Sequence, residues 1–485
     1  MNPTDPAPLL TTERRFLAST LAAYGSQLGR LLIRAAGDLV LARLILPGGH
    51  GVFDLALGVV MIASIFRDLG LPYQLIRDPR RPYGSVLLWV SGAGAALTAL
   101  LALGAPLFAG LDPQLPAVLR VYSLWVLLDG LSVVPKLFFE RELQVGRLVA
   151  PEILRGLSIA VVAIALAVRG AGVWSLVAGE LAGAALFAAL LWWRARGRIR
   201  LELDPKLVLP LIGSSIYLFF IALMALPVPY VSRFILGAFT NAATVGQYGK
   251  ARDWGFRLQA LVLPAVARVL YPALVEYRHG DRPRFLAAYR LGTVTILALE
   301  TLAAYFLFCN ADVVLLKILI GHRWGPAVPL LRILCFVPLT DPFSRLGGEL
   351  LKVEGHDRGW LAIVALNLAS LLVFGILLTR ALGASGMAWA NYLLLGNLLM
   401  AFRVWRICGP EFWLLARDLA FVYLVPLPLF LLIAWALPGA TWPRFAASLA
   451  AAGLAGLAYL LRFKRPLQSL FAPALGLDAG APGTA

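Results

Sequence analysis

Long apolar segments occupy most of this 485-residue chain, and short polar connections separate them. A helix that crosses the hydrocarbon core of a bilayer needs about 20 apolar residues. The pattern predicts about fourteen such crossings, at residues 17–46, 51–76, 86–110, 116–138, 149–168, 172–193, 208–237, 243–275, 287–310, 326–351, 359–380, 385–407, 418–437 and 442–462. These segments are continuous and about twice as long as the strands of a membrane barrel. We therefore expect an all-α integral membrane protein.

Two short patterns occur once in each half of the chain. Arg43–Phe53 resembles Arg233–Tyr248, and Gly170–Ser175 resembles Gly383–Trp389. Both pairs fall at equivalent places in a six-span unit, between spans one and two and between spans five and six. Repeats of this kind are common in transporters, although chance similarity among Leu- and Gly-rich turns is the alternative.

The spans and the repeats together predict the organisation of the chain. We expect a cytoplasmic segment at 1–16, a six-helix lobe at 17–193, a basic cytoplasmic linker at 194–207, a pseudo-symmetric six-helix lobe at 208–407, two additional helices at 408–465 and a disordered cytoplasmic tail at 466–485.

The basic residues of the connections alternate between the two sides of the membrane. Every second connection is rich in them, from Arg14 and Arg15 to Arg462, Lys464 and Arg465. The intervening connections hold only Arg169, Lys317, Arg323, Arg380 and Arg444. Because cytoplasmic loops carry an excess of Lys and Arg, this alternation predicts that both termini lie in the cytoplasm.

The composition excludes several functional classes. With 60% hydrophobic and 14% charged residues, the net charge of +17 indicates contact with anionic lipid headgroups and not with nucleic acid. Cys309, Cys335 and Cys408 are far apart in or beside apolar segments, which predicts neither a disulfide framework nor a metal site. We find no phosphate-binding loop and no catalytic constellation, so we expect no cofactor and no enzymatic activity.

Several motifs occur in a fixed order along nearly the whole chain. They are Ile45–Phe53, Phe66–Leu71 followed by Gln74–Arg77, Arg141–Arg147, Arg233–Gly237 followed by Val245–Ala251, and Leu270–Ala273. Together, on a plan of fourteen spans, they resemble the polysaccharide transporter (Wzx-like flippase) family of the MATE/MOP superfamily. The turn Pro47–His50 departs from the family pattern. So do Pro227 and Pro229, which should kink or unwind the seventh span.

The resemblance implies a fold and a substrate class. The fold would be a V-shaped bundle of two six-helix lobes in the bacterial inner membrane. The substrate would be a polyprenyl-diphosphate-linked oligosaccharide, flipped to the outer leaflet by alternating access for synthesis of O-antigen or exopolysaccharide. The implied partners are this lipid-linked oligosaccharide, membrane lipids and a polysaccharide polymerase or chain-length machinery.

Basic residues inside the predicted spans are candidates for binding a diphosphate headgroup. In span eight, Lys250, Arg257 and Arg268 fall within about 20° of one stripe of an ideal helix. In span one, Arg30 and Arg34 are four positions apart and share a face. Because guanidinium and ammonium groups suit phosphate oxygens, we expect these five side chains to line a headgroup cavity.

Carboxylates inside the spans are candidates for carrying a coupling proton. Glu180 and Glu300 have no basic residue within one helical turn, and apolar surroundings disfavour the charged form of such a group. Asp38 and Asp253 also lie within spans, each beside basic residues on its own helix. All four could instead form ion pairs.

The buried charges also have a structural explanation. Arg34 with Asp38, and Arg257 with Asp253, are spaced for ion pairs within a helix. Arg43, Arg233 and Arg268 could extend to the membrane surface. Polar residues that could contact sugar fit better as interface anchors or helix bridges; they are Tyr217, Tyr230, Trp254, Asn367, Asn391 and Asn397.

Two other functions fit a polytopic membrane protein. A MATE-like exporter of cationic drugs or metabolites would bury more acidic and fewer basic residues than this chain does. A membrane polysaccharide polymerase or ligase would present a large external loop, whereas every predicted external connection is short. The sequence therefore favours the flippase, then the exporter, then the enzyme.

Overall fold

The computed structural model describes residues 29, 33–77, 82–142, 144, 146–199, 204, 208–225, 228–260, 262–263, 266, 270, 274, 277, 281–319, 321–340, 343–354, 357–439 and 442–471. Every regular element in these ranges is a helix. The chain separates into two compact units, Met1–Gly246 and Gln247–Ala485. The division into lobes at 194–207 stays a prediction.

The helices of the first unit are α1 (33–44), α2 (Pro47–Asp68), α3 (Leu71–Arg77), α4 (Tyr83–Gly104), α5 (Leu115–Tyr122), α6 (Leu124–Arg141), α7 (Gly146–Val168), α8 (Val173–Ala195), α9 (Val208–Ala225) and α10 (Val228–Phe239). Helix α11 (Ala242–Gly255) begins in the first unit and continues into the second. The helices of the second unit are α12 (Arg282–Asp312), α13 (Ala327–Leu334), α14 (Ser344–Val353), α15 (Asp357–Ala390), α16 (Leu395–Cys408), α17 (Glu411–Leu424), α18 (Leu427–Ala436) and α19 (Trp442–Phe471).

Within the described ranges, 9 helical segments are long and apolar enough to cross a membrane. The number is 10 if the bent pair Leu209–Met224 and Val228–Phe239 forms one crossing. The prediction of an all-helical, multi-pass membrane protein is therefore confirmed. The count of fourteen and the cytoplasmic location of both termini stay predictions.

The difference between the two counts has identifiable causes. Much of the first and eighth predicted spans lies outside the described residues. The tenth span is divided into Ala327–Leu334, a short 3₁₀ turn and Ser344–Val353. The eleventh and twelfth spans fall in one segment, Arg358–Cys408.

A glycine turn reverses the chain inside that segment. Gly383 adopts φ 61° and ψ −135° within α15. A Cβ added at Gly386 would lie 1.9 Å from the carbonyl oxygen of Leu378, so the residues after the turn lie directly against those before it. Gly172, at the start of α8, has nearly the same dihedral angles, φ 57° and ψ −128°. The second pair of repeated patterns thus has similar turns in the two units.

Within the first unit, the first residues of α11 lie against the first residues of α2 with their backbones in contact. A Cβ added at Gly51 would lie 1.7 Å from the carbonyl oxygen of Ala242. A Cβ added at Gly246 would lie 2.0 Å from the carbonyl oxygen of Pro47. Only glycine permits this approach. Gly51 and Gly246 are equivalent positions of the first pair of repeated patterns.

Helix α12 lies at the centre of the second unit. It packs against α17 and α19, and their apolar side chains form one continuous core. Near its end the helix is kinked at Asn310, and a π-helical turn, Val313–Leu319, follows. Beside the kink, the buried Arg444 of α19 donates two hydrogen bonds to the carboxylate of Asp312. This pairing ties α19 to the end of α12.

Candidate functional site

A cavity of about 310 Å³ lies inside the first unit. Residues from α1, α2, α6, α7 and α8 line it: Ile33, Arg34, Gly37, Asp38, Leu41, Phe53, Lys136, Glu152, Arg155, Gly156, Ile159, Ala160, Ala163, Leu176, Glu180 and Phe187. One wall is the tight packing of α7 and α8. A Cβ at Gly179 would lie 2.8 Å from the carbonyl oxygen of Ile159, and one at Gly183 would lie 2.4 Å from its Cγ1.

The positive and negative side chains in the described lining of the cavity are equal in number. The described lining residues comprise three positive side chains and three negative ones. The positive set is Arg34, Lys136 and Arg155, and the negative set is Asp38, Glu152 and Glu180. Charge inside a membrane-spanning bundle is expensive unless it is paired or in contact with water. Six charges around one cavity therefore indicate a polar ligand or a water-filled path.

The guanidinium of Arg155 is held from several sides. It packs over the ring of Phe187 at 5.2 Å and near that of Trp125 at 6.0 Å. Its Nη1 lies 3.4 Å from Oδ1 of Asp129 on α6. The side chain is 23% exposed. Cation–π contacts and an ion pair together fix this group at the wall of the cavity.

A buried arginine on α2 in turn fixes Asp129. Arg67 is 2% exposed; its Nη2 lies 3.2 Å from Oδ2 of Asp129 and its Nη1 donates to the carbonyl of Val126 at 2.7 Å. Its Nε donates to Asp68 at 2.8 Å. Gly130 leaves room for it, because a Cβ there would lie 3.1 Å from Cδ of Arg67. The series Arg67–Asp129–Arg155 thus connects α2, α6 and α7 and ends at the cavity.

Two polar groups near the cavity have no hydrogen-bond partner among the described residues. Among the described residues, Glu180 makes no hydrogen bond and no ion pair. Tyr122 is fully buried, its hydroxyl has no hydrogen-bond partner in the described part of the chain, and its ring packs against Phe53 at 5.3 Å. Tyr122 also lies within electrostatic range of Glu180, Arg34 and Arg155. A buried polar group without a partner costs about 1–3 kcal/mol. Such groups therefore mark a place where a ligand or water binds.

The cavity brings together three of the residues singled out from the sequence, namely Arg34, Asp38 and Glu180. Arg34 is exposed at its rim, whereas Asp38 and Glu180 are partly buried. Arg30 and Arg268 lie outside the described residues.

The remaining predicted residues belong to the second unit. Lys250 is 8% exposed on α11, and Asp253 follows one turn later. The guanidinium of Arg257 stacks over the ring of Trp254 at 4.1 Å. Helical hydrogen bonds continue from α11 past Gly255, so Lys250 and Arg257 keep a helical spacing. Glu300, on α12, is 4% exposed.

Several polar residues connect helices within a unit. Asn367 donates to Asn397 at 2.9 Å, joining α15 to α16. Asn391 donates to the hydroxyl of Tyr248 at 3.1 Å. Extension to the membrane surface was one explanation for Arg233, but this side chain is 5% exposed and its Nε lies 3.5 Å from Asp54. The carboxylate of Asp54 on α2 keeps this arginine inside the unit.

Sequence reasoning missed Arg155, Lys136 and Glu152 as lining residues. Arg155 carried a signal, because it interrupts the apolar segment 149–168 at a depth where an arginine needs a partner. Its partner Asp129 lies 26 positions earlier. Spacing along one helix could not reveal that pair.

The fold is that of a known class of membrane transporter. The chain is similar to the lipid II flippase MurJ in its inward closed conformation, with a TM-score of 0.75 and 13% sequence identity, over 93% of this chain and 99% of that one. It is also similar to an inward-facing multidrug resistance MATE family transporter of the MOP superfamily, with a TM-score of 0.55 and 16% identity over 82% and 96% of the two chains.

The sequence identifies the family within that class. Residues 40–329 match the polysaccharide biosynthesis protein family, and the chain belongs to this family. The succinoglycan biosynthesis transport protein ExoT of Rhizobium meliloti (strain 1021) is 28% identical over 311 residues, which are 61% of this chain and 60% of ExoT. The teichuronic acid biosynthesis protein TuaB of Bacillus subtilis (strain 168) is 24% identical over 70% of this chain and 73% of TuaB. The resemblance noted from the motifs is confirmed.

Proposed function

We propose that this protein flips a polyprenyl-diphosphate-linked oligosaccharide across the bacterial inner membrane. The observation that carries the proposal is a polysaccharide biosynthesis sequence on the fold of a lipid flippase. A cavity lined by six charged side chains within membrane-spanning helices supports it, because a saccharide headgroup needs a polar path through the bilayer. The chain acts by binding and conformational change, without catalysis.

The headgroup binds to arginine and lysine side chains. Arg34, at the rim of the cavity, is placed to reach an anionic ligand. We assign the same role to Lys250 and Arg257 on the predicted basic face, and to Arg30 and Arg268 by their spacing. The guanidinium forks bind phosphate oxygens in pairs, and the ammonium adds a point charge.

Carboxylates couple transport to an ion gradient. The candidates are Asp38, Glu180, Asp253 and Glu300, and Glu300 is the most deeply buried of those in the second unit.

The proposed protein crosses the membrane fourteen times with both termini in the cytoplasm. Its two six-helix lobes alternate access, and a polymerase or chain-length machinery takes over the flipped saccharide.

Transport in proteoliposomes tests the proposal. A fluorescent polyprenyl-diphosphate oligosaccharide would be reconstituted with the wild type, Arg34→Ala or Arg257→Ala, and its appearance in the opposite leaflet measured. We expect flipping by the wild type and at least a tenfold loss in each variant, since a charge-assisted hydrogen bond contributes about 1.5–3 kcal/mol.

Arg120→Ala is the control, because Arg120 is an exposed arginine of the first unit, like Arg34. It should flip at the wild-type rate. Robust flipping in both test variants would make their arginines structural. Export of a small cation without any flipping would instead identify a MATE-like exporter.

A further inference from the structure

We propose that the cavity of the first unit binds one neutral sugar residue of the transported saccharide. The inference rests on the proposed flippase function and assigns a substrate group to the cavity. In this assignment Glu180 binds sugar, and coupling falls to the other three carboxylates.

The charge balance of the described cavity lining indicates a neutral ligand. A site for a diphosphate needs a surplus of positive charge, whereas the described lining residues carry three charges of each sign. A carboxylated sugar would meet Asp38, Glu152 and Glu180 and be repelled. A neutral sugar presents hydroxyl groups that donate to carboxylates and accept from guanidinium and ammonium groups. The mixed lining suits that chemistry.

Glu180 and Tyr122 supply hydrogen-bonding capacity that the protein does not use. The Glu180 carboxylate lines the cavity, and the hydroxyl of Tyr122, which has no hydrogen-bond partner in the described part of the chain, lies within its electrostatic range. An ionised carboxylate accepts from two adjacent hydroxyls, and a phenol both donates and accepts. A polyhydroxylated ring would satisfy the carboxylate of Glu180, which lines the cavity, whereas Tyr122 packs against the lining residue Phe53 and is not itself part of the described lining.

The wall offers a fixed donor and apolar faces. Asp129 and the rings of Phe187 and Trp125 hold the Arg155 guanidinium in place. Because its position is set before a ligand enters, little ordering entropy is lost on binding. The rings of Phe53 and Phe187 line the cavity and can pack against the C–H face of a sugar.

Size and position agree with a single ring. A volume of about 310 Å³ lies at the lower end of small-molecule sites, which span about 300–1,000 Å³. It is too small for an oligosaccharide. Arg34 lies at the rim, where a diphosphate attached to the bound sugar would meet it. The cavity therefore selects the sugar that is joined directly to the diphosphate.

Saturation-transfer NMR on the full chain in nanodiscs tests the inference. The probes are the methyl glycosides of glucose, galactose, mannose and N-acetylglucosamine, with methyl glucuronide as the charged counterpart. We expect the wild type to bind at least one neutral glycoside and to bind the glucuronide at least tenfold more weakly. Glu180→Gln should weaken binding about tenfold, because it loses hydrogen bonds to the ligand, and Tyr122→Phe, beside the lining residue Phe53, should weaken binding by less.

A stability readout separates binding from folding. Tyr122→Phe removes a hydroxyl that has no partner in the described structure, so its unfolding midpoint should not fall below that of the wild type. Trp89→Phe is the control: it deletes a buried indole N–H that has no partner in the described structure and is not part of the described cavity lining, and it should bind sugar normally.

The outcomes are distinct. Wild-type flipping of the lipid-linked substrate without binding of any neutral glycoside would overturn the sugar site and leave the flippase intact. A third outcome would replace the sugar site by a cation site: the wild type binds no sugar, Na⁺ or protons stabilise it, and Glu180→Gln abolishes this stabilisation. Sugar binding without flipping would support the cavity assignment and refute the flippase.

Discussion

Gly51 and Gly246 lie against each other where α2 and α11 cross, and a Cβ on Gly246 would lie 3.0 Å from the backbone nitrogen of Gly51. The contact joins backbone to backbone, so a methyl group at either position must push the helices apart. We predict that Gly246→Ala lowers the free energy of unfolding by about 3 kcal/mol or more. The measurement is the unfolding midpoint of purified protein in detergent.

Gly92→Ala is the control for that substitution. Nothing lies within 4 Å of a Cβ at Gly92, which is inside α4. Alanine there should leave stability unchanged or raise it by up to about 1 kcal/mol, because it restricts the unfolded chain. Equal effects of the two substitutions would show that the crossing is not tightly packed in solution.

The repeated pattern around Gly51 and Gly246 could be predicted from the sequence, but the contact between these two glycines could not. The patterns around Gly51 and Gly246 are visible as a repeat because glycine and a following aromatic recur. That these glycines touch depends on how two helices cross, and nothing in either segment encodes a partner about 195 positions away. Similarly, the apolar segments predicted that Arg358–Cys408 is helical. The structure adds the turn at Gly383, where the chain reverses inside this segment.

The cavity shows the same limit. Arg34, Asp38 and Glu180 were candidates because each is a charge in an apolar segment. Their neighbour Arg155 is held by residues of two other helices, and such pairs are invisible to spacing rules. Conversely, the basic surplus expected of a headgroup site is absent from the described lining of this cavity, since carboxylates from α1, α7 and α8 balance it.

Two arginines lie beside the carboxylate of Asp312, and we predict that they contribute unequally to stability. Arg444 is 5% exposed and binds both carboxylate oxygens, whereas Arg332 is 41% exposed and lies 3.7 Å away. Arg444→Ala leaves a partly buried carboxylate with its main partner removed and should cost about 1.5–3 kcal/mol. Arg332→Ala should cost at most about 1 kcal/mol. Thermal unfolding of both variants measures the difference, and similar losses would refute the bidentate pairing.

Asp129 should couple energetically to Arg155. Asp129→Asn weakens the acceptor of both Arg67 and Arg155, so we expect a loss of about 2–4 kcal/mol. A double-mutant cycle with Arg155→Gln should give an interaction energy of about 1–3 kcal/mol.

Asp112→Asn, in an exposed loop, is the control for charge removal and should change stability by less than about 0.5 kcal/mol. An interaction energy near zero between positions 129 and 155 would mean that the cation–π contacts alone hold Arg155.

Gly172 and Gly383 should respond alike to substitution. Both have positive φ with ψ near −130°, and neither has an atom within 4 Å of an added Cβ. The cost of alanine is therefore backbone strain alone, about 1–3 kcal/mol at each position. Gly453→Ala, in the interior of α19 with equally open space, should not destabilise. Unfolding midpoints that differ widely between the two turns would contradict their structural equivalence.

The balanced charge of the described cavity lining bears on how the membrane potential acts during transport. Moving one elementary charge through 100 mV involves about 2.3 kcal/mol. Three positive and three negative side chains that move together carry no net charge, so they neither drive nor oppose the transition. A dianionic headgroup that leaves a negative cytoplasm would gain about 4–5 kcal/mol per 100 mV from its own charge. Voltage would then power the outward step through the cargo, and the described lining of the cavity would add no net charge to that step.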